Sequence, residues 1–256
     1  MHRTGEKGYI LREKLAKDDL GDAWRKTRRT FCRGHKRKTE AQWERALQGV
    51  SDFREFTFFP QEMQEKFARK SVPRTIMSAK ERRTLAFARP RRKICKRKEY
   101  KRVKKIKLFG VSTSTGKKLI CRTALHPQSP DFVRIVDRHL GPFMRAAFPD
   151  MRIKTILLDG ETLMHTDEAK AALRRWGLRA LPQWPAHSPD LNPQENVWAW
   201  AKKKLAKAEG GDETFEQFKR RAVAVCGRYP SAGKLVPGMK KRVNKCLQRQ
   251  GANIGQ

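Results

Sequence analysis

Acidic residues are scarce beside basic ones in this sequence: 26 Asp and Glu face 60 Lys and Arg, leaving a formal net charge of +34. Repulsion on that scale works against a compact chain standing alone, so the composition argues against a protein without a polyanionic partner. Cysteine is sparse and scattered. Cys32, Cys95, Cys121, Cys226 and Cys246 form no Cys-x-x-Cys pair, and the histidines lack the His-x3–5-His spacing of a zinc finger. Reduced thiols and no structural zinc are therefore expected. Long apolar runs are missing as well. None reaches the roughly 18 residues of a membrane span, and none follows Met1 as a secretory signal would, so a soluble protein working inside the cell, with no membrane partner, is expected.

What is present is enough for a folded core: 256 residues, of which 38% are hydrophobic, in the range of globular chains. Nucleic acid is the simplest partner for the charge, because each Lys or Arg that neutralises a phosphate releases a condensed counterion. A ribosomal or histone-like role suits the charge equally well. Composition names the partner and not the job.

Along the chain, the first 50 residues are basic and helical in pattern, interrupted at Gly8 and Gly34 and anchored by Trp24, Phe31 and Trp43. Phe53, Phe56, Phe58 and Phe59 then crowd a segment closed by Pro60, which reads as a buried strand or one arm of a hairpin. The densest charge lies between 89 and 107, where Glu99 is the lone acid among Arg91, Arg92, Lys93, Lys96, Arg97, Lys98, Lys101, Arg102 and their basic neighbours. That run reads either as a solvated surface or as a phosphate-contacting one that doubles as a nuclear localisation signal. Residues 107–112 and 118–121 predict two strands about a turn at Thr115-Gly116. Phe132, Val133, Val136, Leu140 and Phe143 fall at helical spacing, with a break expected at Gly141-Pro142. The clearest strand, 153–158, ends in Asp159-Gly160. A helix over 166–176 stops at Gly177, a short strand covers 178–181, prolines stiffen the next loop, and another helix starts near Asn192. Strands alternating with helices in this order predict an α/β class with a mixed sheet.

Two segments carry candidate chemistry. In Ile156-Leu157-Leu158-Asp159-Gly160 an apolar run delivers a carboxylate to the carboxyl end of a buried strand, where α/β folds commonly bind ligands. Taken alone, the segment is read more simply as an Asp-Gly turn. The second is the fifteen-residue string Trp184-Pro185-Ala186-His187-Ser188-Pro189-Asp190-Leu191-Asn192-Pro193-Gln194-Glu195-Asn196-Val197-Trp198. Helix capping accounts for part of it, with Asn192 as N-cap, Pro193 at the first helical position and Glu195 closing a capping box. It does not account for the whole string.

That string resembles the third catalytic motif of the Tc1/mariner transposases, close to W-P-x-x-S-P-D-L-N-P-I-E-x-x-W, and departs from it mainly at Gln194. The 35 residues between Asp159 and Glu195 match the family's spacing. Arg25 to Phe31 with Trp43 is similar to the helical lead-in to the family's first catalytic strand, and Val50-Ser51-Asp52 stands where that strand delivers its first Asp. Phe109-Gly110-Val111-Ser112 with Gly116 resembles its W-G-x-I-S…G hairpin, and Leu235 to Val243 with Gly251 its C-terminal tail. The similarity is thin across 60–107. The family follows its first Asp with Glu; here Phe53 follows, and Glu55 comes three positions on. Positions three apart in a strand point to opposite faces, so Asp52 rather than Glu55 is expected at the site. After Asp159 the family's Asn-Ala is replaced by Gly160-Glu161, and its His arrives one place late, as His165.

The resemblance implies an RNase H-like, retroviral-integrase-type fold: a mixed sheet flanked by helices. It implies that Asp52, Asp159 and Glu195 are the catalytic carboxylates and hold two Mg2+ or Mn2+ ions, cutting transposon ends and transferring the strand into target DNA. The implied partner is double-stranded DNA, bound by a homodimer in the nucleus. DNA contacts are expected at Arg91, Arg92, Lys93, Lys96, Arg97, Lys98, Lys101 and Arg102, and at His165, which reads equally as a solvent-side residue ahead of a helix. Three segments follow: a basic helical linker over 1–45, remnant of an N-terminal DNA-binding region, a catalytic domain over 46–210 and a helical tail over 211–256. A degenerate or domesticated copy that binds DNA without strand transfer is the alternative. A structural RNA- or ribosome-associated protein would leave the string and its spacing as coincidence.

Overall fold

The computed structural model describes residues 21–58, 104–206 and 213–255. The basic positions Arg91, Arg92, Lys93, Lys96, Arg97, Lys98, Lys101 and Arg102 lie outside the described residues. Five strands form one mixed sheet: β1 (Gly49–Thr57), β2 (Lys105–Thr113), β3 (Lys118–Thr123), β4 (Lys154–Leu157) and β5 (Leu178–Ala180), in the order β3-β2-β1-β4-β5. Strand β2 pairs antiparallel with both β1 and β3, whereas β4 pairs parallel with β1 and β5 parallel with β4. Helices α1 (Asp22–His35) and α2 (Glu40–Ala46) precede the sheet. Helices α3 (Ser129–Ile135) and α4 (Gly141–Ala147) follow the hairpin, and α5 (Asp167–Arg175) joins β4 to β5. The chain then runs through α6 (Gln194–Ala206), α7 (Phe215–Gly227) and α8 (Met239–Gln248). This is the RNase H-like α/β arrangement expected.

The period of two along β1 decides what each face meets. Val50 and Phe56 point into a core with Phe31, Trp43, Trp198 and Met239, while Phe53 points into the opposite one with Phe109, Phe132 and Leu140. The first core takes residues from both sides of the boundaries expected at 45/46 and 210/211, so the described parts of all three segments share packing. Among the described cysteines, Cys32, Cys121, Cys226 and Cys246 are free thiols. No helix among the described residues is long and apolar enough to cross a membrane.

The interruption expected at Gly34 falls at the end of α1, which stops at His35, with α2 starting at Glu40. One sequence expectation needs correction: the chain does not break at Gly141-Pro142, because α3 passes through a π turn (Val136–Leu140) directly into α4, with the Gly141 N–H donating to the Val136 carbonyl five residues back. A wider turn is how a helix accommodates a proline that cannot donate to the carbonyl four residues before it. Gly141 is required by its neighbour, since a Cβ there would lie 2.1 Å from Trp176 Cδ2. Gly177 closes α5 as expected, at φ +64°.

The lead-in to β1 is polar for a structural reason. The Gln48 side-chain amide donates to the Arg45 carbonyl (2.8 Å) and accepts from the Thr155 N–H (2.7 Å), joining the end of α2 to β4. The Ser51 hydroxyl adds a bond to the Leu157 carbonyl (2.7 Å). These side-chain bonds lengthen the short β1–β4 ladder beside the place where the candidate acids lie.

Candidate active site

Because β1 and β4 are parallel neighbours with Val50 opposite Leu157, the register carries Asp52 and Asp159, each two residues further on, toward the same sheet edge. Glu195 reaches that edge from the first turn of α6. Asp52 is buried, at 3% exposure. Its carboxyl is pushed up to about 8, first by burial and then by repulsion from Asp159 and Glu195, against the opposing effect of a hydrogen bond from Trp198. Asp159 and Glu195, from distant parts of the chain, thus both act electrostatically on Asp52. Glu55 does not join them; it faces the other way and pairs with Lys105 at 2.8 Å.

Each acid has a local support. The Trp198 indole N–H donates to Asp52 Oδ2 at 2.9 Å. It reaches Asp52 because Gly110, directly across the ladder from Asp52, has no side chain. A Cβ at 110 would sit 2.4 Å from Trp198 Cη2 and 2.9 Å from Gln194 Nε2. Gly110→Ala should therefore destabilise the fold by about 1–3 kcal/mol through overpacking and break the indole bond to Asp52. Thermal unfolding checks the first effect, and an unchanged midpoint would show that Trp198 has room to move. The Asp159 carbonyl accepts from His165 Nε2 at 2.8 Å, which places the imidazole proton on that nitrogen, and His165 is otherwise exposed. Asn192 holds the start of α6: its side chain accepts from the Gln194 N–H (3.1 Å) and donates to the Ser51 carbonyl (3.1 Å), one residue before Asp52.

The capping box expected at Glu195 does not describe its side chain. Arg54 Nη1 donates to both Glu195 carboxylate oxygens, each at 3.2 Å. Arg54 was not singled out in the sequence. The signal for it was its place two residues after Asp52, on the same face of an extended strand. Gln194 takes the place of the motif's Ile, and its fully buried amide finds no partner among the described residues for either polar atom.

The loop leading to Glu195 is clamped from two directions. Buried Arg28 on α1 donates from Nη1 and Nη2 to the two oxygens of Asp190 (2.8 and 2.6 Å) and from Nε to the Gly251 carbonyl (2.8 Å). The Ile254 N–H adds a bond to Asp190 Oδ2 at 2.8 Å. Burial opposes the charge on Asp190, yet these bonds together hold its carboxyl below the usual range.

The donor set fits a hard divalent cation, since it offers carboxylate oxygens and no thiolate or imidazole ligand. Among the described residues no three His, Cys, Asp or Glu side chains are drawn tightly enough to grip an ion as they stand. Two of the acids have other partners: Asp52 is engaged by Trp198 and Glu195 by Arg54.

Among solved structures, the chain is similar to the Mos1 transposase paired-end complex with left transposon end, with a TM-score of 0.62 and 17% identity over 94% of this chain and 66% of that one. The Mos1 mariner paired end complex with Mn gives 0.59 and 15%, covering 98% of this chain and 67% of that one. The isolated catalytic domain of Mos1 mariner transposase gives 0.56 and 14%, covering 95% and 98%. The chain spans about two thirds of the Mos1 chain in the paired-end complexes, and likeness at this identity shows a shared fold. No curated protein sequence matches it. A sequence profile of the DDE superfamily endonuclease family matches residues 74–218, more than half of the chain, and on that match the chain belongs to this family.

Proposed function

We propose that this protein is a transposase catalytic unit, with its catalytic region over 46–210, that cuts double-stranded DNA with Asp52, Asp159 and Glu195 and joins the freed end to target DNA. The observation that carries this reading is the placing of buried Asp52, on β1, within electrostatic reach of Asp159 and Glu195 from two other segments of the chain. Such crowding costs stability unless cations are there to relieve it. Two Mg2+ or Mn2+ ions, when bound, would supply an activated water and stabilise the leaving oxygen. Trp198 fixes the Asp52 carboxylate, Asn192 fixes the backbone before Glu195, and His165 steadies the turn after Asp159. In cleavage a water oxygen bonds to phosphorus as the phosphorus–O3′ bond breaks, leaving a 3′-hydroxyl and a 5′-phosphate. In transfer that hydroxyl bonds to a target phosphorus, loses its proton and displaces a target 3′-oxygen. Mos1, similar in fold, has been solved with transposon-end DNA and with Mn, which supports DNA as partner and a divalent ion as cofactor. A homodimer on paired ends, in the nucleus, belongs to the same reading.

The test is nicking of a duplex by the wild-type chain in Mn2+ or Mg2+, abolished by chelation and by Asp159→Asn. Binding without chemistry, in a degenerate copy, is the second reading, favoured by the engagement of Glu195 with Arg54. Such a copy would bind duplex and show no metal-dependent cutting.

The basic run is part of the same proposal. Changing Lys96, Arg97 and Lys98 together to alanine should flatten the log–log dependence of duplex affinity on salt by about 0.9 for each phosphate no longer neutralised. A slope equal to the parent's would return the run to solvated surface.

A further inference from the structure

We infer that Arg54 is a latch on the proposed metal site: off DNA its guanidinium neutralises Glu195, and a DNA phosphate draws it away, so that metal and DNA load together. The inference rests on the reading of Glu195 as a metal ligand.

The geometry is competitive. One nitrogen of Arg54 spans both Glu195 oxygens at 3.2 Å, occupying the lone pairs that a divalent ion would use. Its positive charge also repels an approaching dication at that range. The neighbouring acids have cations of their own, Glu55 with Lys105 and Glu161 with Lys107, while Asp52 is held by the uncharged indole of Trp198. Among the described residues, Arg54 therefore acts on the one candidate ligand of the three that carries an ion pair.

The guanidinium also has a way out. The Arg54 side chain is 30% exposed and that of Glu195 is 11% exposed, so the guanidinium approaches from the solvent side. A guanidinium suits a phosphate as well as it suits a carboxylate, through the same forked donors. Exchange of Glu195 for a backbone phosphate keeps Arg54 paired and frees both Glu195 oxygens. Because coupling between two ligands is reciprocal, DNA then tightens metal binding by the same factor as metal tightens DNA binding.

The test follows free Mn2+ by electron paramagnetic resonance, titrating the full chain with and without a short duplex and subtracting the duplex alone. Wild type, Arg54→Gln, Arg54→Lys and Glu195→Gln are compared, each checked for an unchanged far-ultraviolet circular dichroism spectrum. Without DNA, Arg54→Gln should bind Mn2+ roughly tenfold more tightly than wild type, within the usual range of coupling between sites. Duplex should tighten wild type by a similar factor and leave Arg54→Gln almost unmoved, with Arg54→Lys between them. Equal Mn2+ affinity of Arg54→Gln and wild type, or duplex coupling that survives in Arg54→Gln, overturns the latch. If wild type binds no Mn2+ with or without duplex, or Glu195→Gln binds it as wild type does, the metal reading of Glu195 itself fails.

Discussion

Glu195→Gln is expected to end metal-dependent cleavage while leaving the fold standing. The substitution keeps shape and removes a negative ligand from a hard dication. Activity should fall well beyond the roughly 10–100-fold that changing a ligand's supporting neighbour costs. Stability should move little. The ion pair with Arg54 is lost, about 1 kcal/mol or less for a part-exposed pair, while repulsion on Asp52 is relieved. Asn192→Ala should show the opposite pattern, costing about 1 kcal/mol through the lost cap, and more if the bond to the Ser51 carbonyl is counted. Thermal unfolding paired with a nicking assay separates the two. A Glu195→Gln protein that still cuts at the parental rate would reduce Glu195 to a partner for Arg54.

The largest loss of stability is expected at Arg28. Arg28→Ala strips a fully buried cation from Asp190 and leaves its carboxylate, in the loop that leads to Glu195, with the Ile254 N–H but without its bidentate cation. Breaking one side of a buried pair costs about 3–5 kcal/mol, which for a chain of this length lowers Tm by roughly 10 °C. The sign of the pH dependence follows from Asp190, whose carboxyl is held below its ordinary value in the folded chain. Its contribution is complete above the unfolded carboxyl's pKa, about 4. It is lost as pH falls through the lower folded value. The gap in Tm between wild type and Arg28→Ala should thus be full at neutral pH and narrow in strong acid. A gap that is small at pH 7 would show that the loop is held by its prolines and not by the clamp.

What the sequence revealed and what it hid divide by distance along the chain. The strand leading to Asp159, the stop at Gly177 and the opposite facing of Asp52 and Glu55 all follow from local periodicity, and the structure has them. The α/β order with a mixed sheet was equally legible. Pairings across long separations were not. A capping box is the local solution for Glu195, but Arg54, 141 residues earlier, takes its carboxylate. Gly110 gave no local sign that the Trp198 ring would lie on it, and Gly141-Pro142 looked like a break because Trp176, which needs that glycine, is remote in sequence. Arg28 and Asp190, 162 residues apart, carry no pattern that pairs them. Gln194 is a different case: the sequence marked it as the odd residue in the string, and its buried, unpartnered amide is still without a physical account.

The central claim is that Asp52, Asp159 and Glu195 hold divalent ions for DNA cleavage. Its most direct test is a crystal of the chain with a short duplex, soaked in Mn2+ and measured at a wavelength where manganese scatters anomalously. The account predicts anomalous peaks coordinated by carboxylate oxygens of Asp52, Asp159 and Glu195, with Arg54 moved onto a phosphate. Ordered duplex at the same sheet edge with no manganese on any of these three carboxylates would contradict it.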